Sequence, residues 1–287
     1  MPVNIAINEA ETLSDQIERL LVSRNLRGMA TVRPALRSGY CLRAAELLDN
    51  CCGTVMIGTG FPVKDTFETD GPVGAIALYR ALAAIGKEPV LACATPLASV
   101  LENDFRVVPI AVGASTRDRQ QEAGKLLERY CPAVVISIEQ PGQAVDGGYY
   151  NMRGESIAHY SHCYDVLIGM ARCPTIAIGD GGNEVGMGNI REALMQLDII
   201  PAVSTCDELV VADVSNWGCH ALVVLLGWLR EIDLLADFDN RAELQYLSDR
   251  GSVDGISGQN TLTEDGLLAE DGADMIFQLR RLTGFAG

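Results

Sequence analysis

The amino-acid sequence predicts an α/β fold: a doubly wound, mostly parallel sheet with helices on both faces, a Rossmann-like three-layer sandwich. Three observations lead there. Short apolar runs rich in β-branched residues recur at Thr54–Ile57, Pro89–Cys93, Val107–Val112, Ala133–Ile138, Thr175–Ile178 and Leu209–Ala212. They are apolar throughout and do not alternate, which suits strands covered on both faces, as in a parallel sheet. Between them lie segments with helical spacing and helix-end signals, so strand and helix alternate.

Residues 1–50, with a helix near Glu11–Val22, precede this alternation and read as a helical lead packed on the core. Residues 51–230 are the parallel α/β core. Within it, Asp70-Gly71-Pro72 sets a capping side chain ahead of a first-turn proline. Val73, Ile76, Ala77, Ala81 and Ala84 follow at helical spacing, and Gly86 ends the segment. Ser115-Thr116-Arg117-Asp118 resembles a capping box with Asp in place of Glu, and opens a helix that Cys131-Pro132 stops. The apolar run Cys219–Leu229 closes at Arg230 and falls short of the roughly 18 residues of a membrane span, so it predicts a buried helix. Residues 231–287 read as a helical cap of the same domain, in which the glycine-rich stretch Gly251–Gly258 is a loop over a site.

A chain of 287 residues, 48% hydrophobic and 21% charged, has the composition of a globular protein with a substantial core. The start, Met1-Pro2-Val3-Asn4, lacks the basic region and apolar stretch of a secretory signal, which predicts a cytoplasmic location. Nine cysteines, none in a C-x-x-C pair, predict free buried thiols; His159, His162 and His220 complete no zinc pattern. The net charge of −16 is uneven, with 14 basic and 17 acidic residues up to residue 150 and 8 and 21 beyond it. Such a surface repels phosphate backbones, so the expected partner is a small metabolite or a metal ion and not nucleic acid or membrane.

In an open parallel sheet, ligands bind beyond the carboxyl ends of the strands. Four strand ends are polar and glycine-rich: Gly58-Thr59-Gly60-Phe61-Pro62, Glu139-Gln140-Pro141-Gly142, Gly179 through Glu184, and Asp213 through Gly218. All four are expected to converge on one edge. The third position of a G-x-G-x-x-G fingerprint is Val63 here and no G-K-[ST] occurs, so nucleotide chemistry is disfavoured; Thr59 and Gly60 read as a tight turn whose amides approach a ligand. Asp180 and Glu184 offer two carboxylates across the flexible Gly181-Gly182, and Asn183 adds a neutral donor and acceptor. That set suits acid and base work or a hard cation such as Mg²⁺ or Mn²⁺, with Asp180 as a ligand; helix capping by Asp180 or Asn183 is the structural reading. Thr69 and Asp70 at a helix start, and Ser215 and Asn216 after the sixth strand, are further binding candidates, with capping the alternative for Asp70. Asn151 and Arg153 lie in a loop carrying hydroxyl, amide and guanidinium groups. Arg153 can clamp a carboxylate through two parallel hydrogen bonds, or pair with Glu139 or Asp146. No serine sits in a G-x-S-x-G elbow, which argues against a serine hydrolase.

Thr59-Gly60-Phe61-Pro62, Glu68 through Ala75, Asp146 through Gly154, Ile178 through Gly188, Val214 through Gly218 and Val253-Asp254-Gly255 together resemble the D-glutamate cyclase family, in particular the C-terminal domain shared by its longer members. The resemblance runs from about Thr54 to about Gly266. It implies cyclisation of D-glutamate to 5-oxo-D-proline with loss of water, a carbon–oxygen lyase reaction. Longer members carry an N-terminal region resembling a hydro-lyase, where this chain has its short helical lead.

That reaction needs a base for the ammonium, donors for an oxyanion and an acid for the departing oxygen. The assignment made from the residues gives base and acid to Asp180 and Glu184 in either order. Asn183 and the amides of Gly181 and Gly182 take the oxyanion, and Arg153 the α-carboxylate. Two other readings stay open: a metal-assisted hydrolase or lyase acting on another amino acid derivative, and a non-catalytic ligand-binding module that needs a separate hydro-lyase subunit. The partner expected beside the substrate is such a subunit or a second copy of this chain in a homo-oligomer.

Overall fold

The computed structural model describes residues 3–113, 115–160 and 162–287. Six strands form one parallel sheet: β1 (Thr54–Thr59), β2 (Glu88–Ala94), β3 (Val107–Ile110), β4 (Val134–Ile138), β5 (Thr175–Gly179) and β6 (Glu208–Val211). Their order is β3-β2-β1-β4-β5-β6. The chain builds outward from β1 to one edge, then crosses back and builds toward the other. The crevice between β1 and β4 is therefore the topological switch point, where loops leave in opposite directions. Each predicted run is a strand, with ends moved by one or two residues.

Successive strand residues face opposite sides, and this sorts the core into two layers. Met56 stands level with Val90 and Val135 across three strands, and all three pack against Ala123 and Leu126 of the helix α4 (Thr116–Tyr130) and Tyr164 and Leu167 of α5 (Tyr164–Met170). Val55 and Ile57 point the other way, toward the helices α2 (Tyr40–Asn50), α3 (Pro72–Ala84) and α6 (Ser215–Arg230). In α6 every residue from Ser215 to Gly227 is buried, because outer helices cover it. These are α1 (Val3–Leu21) and α8 (Ala269–Leu282), the latter also packed on α7 (Asn240–Ser248). Leu13 and Ile17 of the lead and Met275 and Leu279 of the cap join the same cluster as the sheet residues. No helix among the described residues is long and apolar enough to cross a membrane.

Local signals hold in detail. The Ser115 hydroxyl accepts the Asp118 amide and donates to its carboxylate at 2.6 Å, closing the start of α4. All nine thiols are free, but only five are buried; Cys52 and Cys131 are exposed and Cys173 and Cys206 half-buried, since they lie at strand and helix ends. Two short hairpins appear where the sequence reading leaves loops: Pro62–Val63 with Thr66–Phe67, and Thr263–Glu264 with Leu267–Leu268. The second turns on Asp265-Gly266, both left-handed at φ 51° and 76°, as a tight two-residue hairpin requires.

Candidate active site

The carboxyl ends of β1, β4, β5 and β6 meet at one edge of the sheet. Glu139 follows β4 directly, and its amide donates to Ile178 O at 3.1 Å. Its φ of 45° is uncommon for a residue with a side chain, a kind of strain that concentrates at functional sites. Asp180 follows β5. Above them a cavity of about 330 Å³ opens between the Pro62–Phe67 hairpin, the Asn151–Tyr160 segment and Gly255-Ile256 of the glycine-rich loop. Five carboxylates line it: the exposed Glu155, and Glu68, Glu139, Asp180 and Asp265, among which lies Arg27. Glu68 packs directly on Gly255: a Cβ there would fall 2.3 Å from Glu68 Oε2, and the carboxylate would have to move. Lys64, Arg153 and His159 line the same cavity, together with Asn151 and Asn183.

Arg27 is the charge balance of the cluster. It bonds through Nη2 to Asp180 Oδ2 at 2.5 Å and to Asp265 Oδ2. Carboxylates outnumber it, and their acidity responds. Burial pushes the Asp180 carboxyl well above the usual carboxylate range even though Arg27 pulls it down. Burial, reinforced by Glu184, does the same to Glu139, and burial with the charge of Asp265 beside it raises Glu68 well above its ordinary value. Asp70 is pushed up to about 8, again mainly by burial. Carboxyl groups in such a setting keep protons near neutral pH and are able to donate them. The same oxygens suit a divalent ion: Asp70, Asp180 and Asp265 form one set, and Glu139, Asp180 and Glu184 another, each with ligand atoms within 4.8 Å of one another.

The residues singled out from sequence divide into two groups. Asp180, Asn183, Asn151 and Arg153 face the cavity. Asn183 donates from Nδ2 to Tyr150 O at 2.9 Å, while its buried Oδ1 has no partner among the described residues. The Arg153 side chain is exposed and reaches Ile256 O at 3.3 Å, and it makes no ion pair with Glu139 or Asp146. The Asn151 carboxamide holds its own loop, donating to Glu155 and accepting the Arg153 and Glu155 amides at 3.0 Å. The second group lies behind the cavity wall. Glu184 accepts the amides of Gly181 at 2.9 Å and Gly182 at 2.7 Å, so its carboxylate and those two N–H groups satisfy one another. Thr69 donates to Thr263 O at 2.7 Å. Thr59 and Gly60 border a separate cleft on the far side of the Pro62–Phe67 hairpin.

Asp70, Ser215 and Asn216 are tied to each other and to Glu139. The Asp70 carboxylate caps α6, accepting Ser215 N at 2.9 Å and Asn216 N at 2.7 Å, and its Oδ1 also takes the Gly71 amide ahead of α3 at 2.9 Å. Ser215 Oγ donates to Glu139 Oε2 at 2.5 Å. Behind Asn216, the fully buried Glu264 accepts from its Nδ2 at 2.7 Å.

Sequence reasoning missed Arg27 and Asp265 and did not single out Glu68 or Glu139 as site residues. Asp265-Gly266 is a hairpin signal between two short runs and could have placed a turn there. Glu139 ends a strand run. Arg27, in a polar lead, has no local mark at all.

The family described as D-glutamate cyclase-like, C-terminal, matches residues 17–280. The human protein named D-glutamate cyclase, mitochondrial, is 33% identical over 235 residues, which cover 71% of this chain and 38% of that relative. The chain thus spans well under half the length of this curated relative. Among solved structures, an exopolyphosphatase-related protein from Bacteroides fragilis overlaps 86% of this chain and 60% of its own, with 11% identity and a TM-score of 0.44. UDP-GlcNAc 2-epimerase from Methanocaldococcus jannaschii overlaps 70% of this chain and 53% of its own, at 10% identity and a TM-score of 0.29. Likeness at that level has no bearing on the site. With the family match running from α1 to α8 and across every loop that builds the cavity, the chain belongs to the D-glutamate cyclase family, as a member of its C-terminal domain type.

Proposed function

We propose that this chain cyclises D-glutamate to 5-oxo-D-proline with loss of water. The observation that carries the reading is the group of four cavity-lining carboxylates around Arg27, in a member of this family. The reaction forms a bond between the α-nitrogen and the γ-carboxyl carbon and breaks one carbon–oxygen bond. The ammonium gives up two protons, and both leave on the departing oxygen as water. A site for it needs acceptors around an ammonium and a nearby group able to return a proton. Asp180 Oδ2 is held by Arg27, Glu139 is held by Ser215, and Asn183 Oδ1 is a buried acceptor without a donor among the described residues. These three suit the ammonium and its proton traffic. Glu139, whose carboxyl burial raises, suits the return of a proton to the leaving oxygen. The rim guanidinium of Arg153 suits the α-carboxylate.

A divalent Mg²⁺ or Mn²⁺ fits the two carboxylate sets that share Asp180, and when bound it would neutralise the γ-carboxyl as a Lewis acid. The second reading, a metal-assisted hydrolase or lyase on another amino acid derivative, draws on those same sets. The test is to incubate the purified chain with D- and L-glutamate, with and without divalent ions, and to follow 5-oxoproline by chiral chromatography. Formation of 5-oxo-D-proline is expected. Turnover of neither enantiomer under any condition would overturn the reading for this chain, and binding of 5-oxo-D-proline without turnover would point to a module working with a separate subunit.

A further inference from the structure

We infer that Arg27 is a substrate anchor, binding the deep carboxylate of a dicarboxylate ligand while Arg153 at the mouth takes the other. That the deep group is the reacting γ-carboxyl rests on the cyclase reading; the anchor itself does not.

The lead is built to deliver this side chain. Asp213, just beyond β6, accepts three consecutive amides, from Arg24 at 2.7 Å and from Asn25 and Leu26 at 3.2 Å each, and its own amide donates to Leu21 O at 2.8 Å. Asn25 is left-handed at φ 51° and caps the next turn through Ala30 N. A three-amide clamp on an exposed loop fixes the chain where Arg27 turns inward. Its side chain is only 15% exposed and lines the cavity.

The hydrogen bonds of the guanidinium are lopsided. Those to Asp180, Asp265 and Asp213 O all end on Nη2, and Nε is buried without an acceptor among the described residues. A guanidinium carries five donors and stays charged, so a buried donor edge left open costs free energy until an acceptor fills it. The cationic side chains on the cavity lining are Arg27 in the depth, among four carboxyl groups, and Arg153 and Lys64, both exposed. The site therefore has a cationic pole at each end, with carboxyl oxygens that accept hydrogen bonds between them. That pattern matches a short dicarboxylate with a positive group along its length.

The test uses the full chain and binding probes that need no turnover. Calorimetry is run with glutarate, which has two carboxylates and no amine, and with butyrate, which has one. The wild type is expected to bind glutarate at least about tenfold more tightly than butyrate. R27Q is expected to lose about tenfold or more in glutarate affinity, and R153Q to lose affinity for glutarate but not butyrate. R27K keeps a charge able to hold Asp180 and Asp265 but lacks the open guanidinium edge, so it is expected to fold normally by thermal melting and still lose glutarate affinity. If R27Q does not fold, R27K decides. Glutarate affinity within threefold of wild type in R27K, or no binding of glutarate by the wild type, overturns the anchor. Arg27-dependent glutarate binding without 5-oxoproline formation leaves the anchor standing and the cyclase reading fallen. Turnover of D-glutamate with kcat and KM unchanged in R27K does the reverse.

Discussion

Asp70 and Asn216 cap each other's helices. The Asp70 carboxylate accepts the first amides of α6, Ser215 N and Asn216 N, and Asn216 Oδ1 accepts Gly71 N at 2.9 Å and Gly74 N at 2.8 Å at the start of α3. Two helices on the same face of the sheet are thus pinned end to end at the floor of the site. Asn216→Ala takes the acceptor from the Gly74 amide, while Gly71 N keeps Asp70 Oδ1 at 2.9 Å, and is expected to cost on the order of 1–3 kcal/mol in urea unfolding. Asp70→Ala is expected to cost a similar amount, and the double variant less than the total of the two by about 1 kcal/mol. Strictly additive losses would show that the caps act separately.

Glu139 and Glu184 separate by what holds them. Glu139 lines the cavity with one hydroxyl donor on it, whereas Glu184 spends both oxygens on loop amides. Glu139→Gln is expected to lower kcat for D-glutamate by roughly 10²–10⁴-fold with an unchanged melting temperature. Glu184→Gln turns an NH₂ toward a backbone N–H and is expected to cost about 1–3 kcal/mol of stability. Normal melting with abolished turnover in Glu184→Gln would return the proton-transfer role to that residue.

The glycine-rich loop is fastened by Asp254, whose carboxylate accepts Ile256 N at 3.1 Å, Ser257 N at 2.7 Å and Gly266 N at 2.7 Å. This one side chain joins the loop over the cavity to the hairpin that presents Asp265. Asp254→Ala is expected to speed hydrogen exchange at those three amides by at least about tenfold and to raise KM more than it lowers kcat. Unchanged exchange at Gly266 would mean that the hairpin holds Asp265 without the loop.

Two buried groups give stability opposite dependences on pH. His220 is fully buried, and burial lowers its imidazole to about 3 against the opposing pull of Asn240 beside it. The unfolded chain takes that proton near pH 6.5, so its contribution is full above about 6.5 and is lost as pH falls toward 3. His220→Leu is expected to flatten the acid limb, with a difference on the order of 4–5 kcal/mol at its lower end, at about 1.4 kcal/mol per unit. Asp70, raised to about 8, has the other sign. Its contribution is full below about pH 4 and is lost as pH rises through about 8. Urea midpoints measured from pH 3 to 9 check both; a His220→Leu curve parallel to wild type would contradict the first.

The strands were legible because each is a buried apolar run of a few residues, such as Ala133–Ile138 or Thr175–Ile178, and burial on both faces leaves no alternation to confuse. The helix starts at Pro72 and Thr116 were legible from residues directly before them. Which helix Asp70 caps was not. Its side chain finds the amides of α6, 145 and 146 residues away, because the packing of α3 against α6 sets the two helix starts together.

What the sequence determined by itself is the sheet, the polarity of its carboxyl edge and the presence of Asp180 there, since these depend on residues a few positions apart. The tertiary structure decided the charge at the site. Arg27 meets Asp180 across 153 residues and Asp265 across 238, and no local pattern records such pairings. They exist because the helical lead and the C-terminal cap pack on the same buried helix, α6, which carries a cation from one end of the chain and a carboxylate from the other to the edge of the sheet.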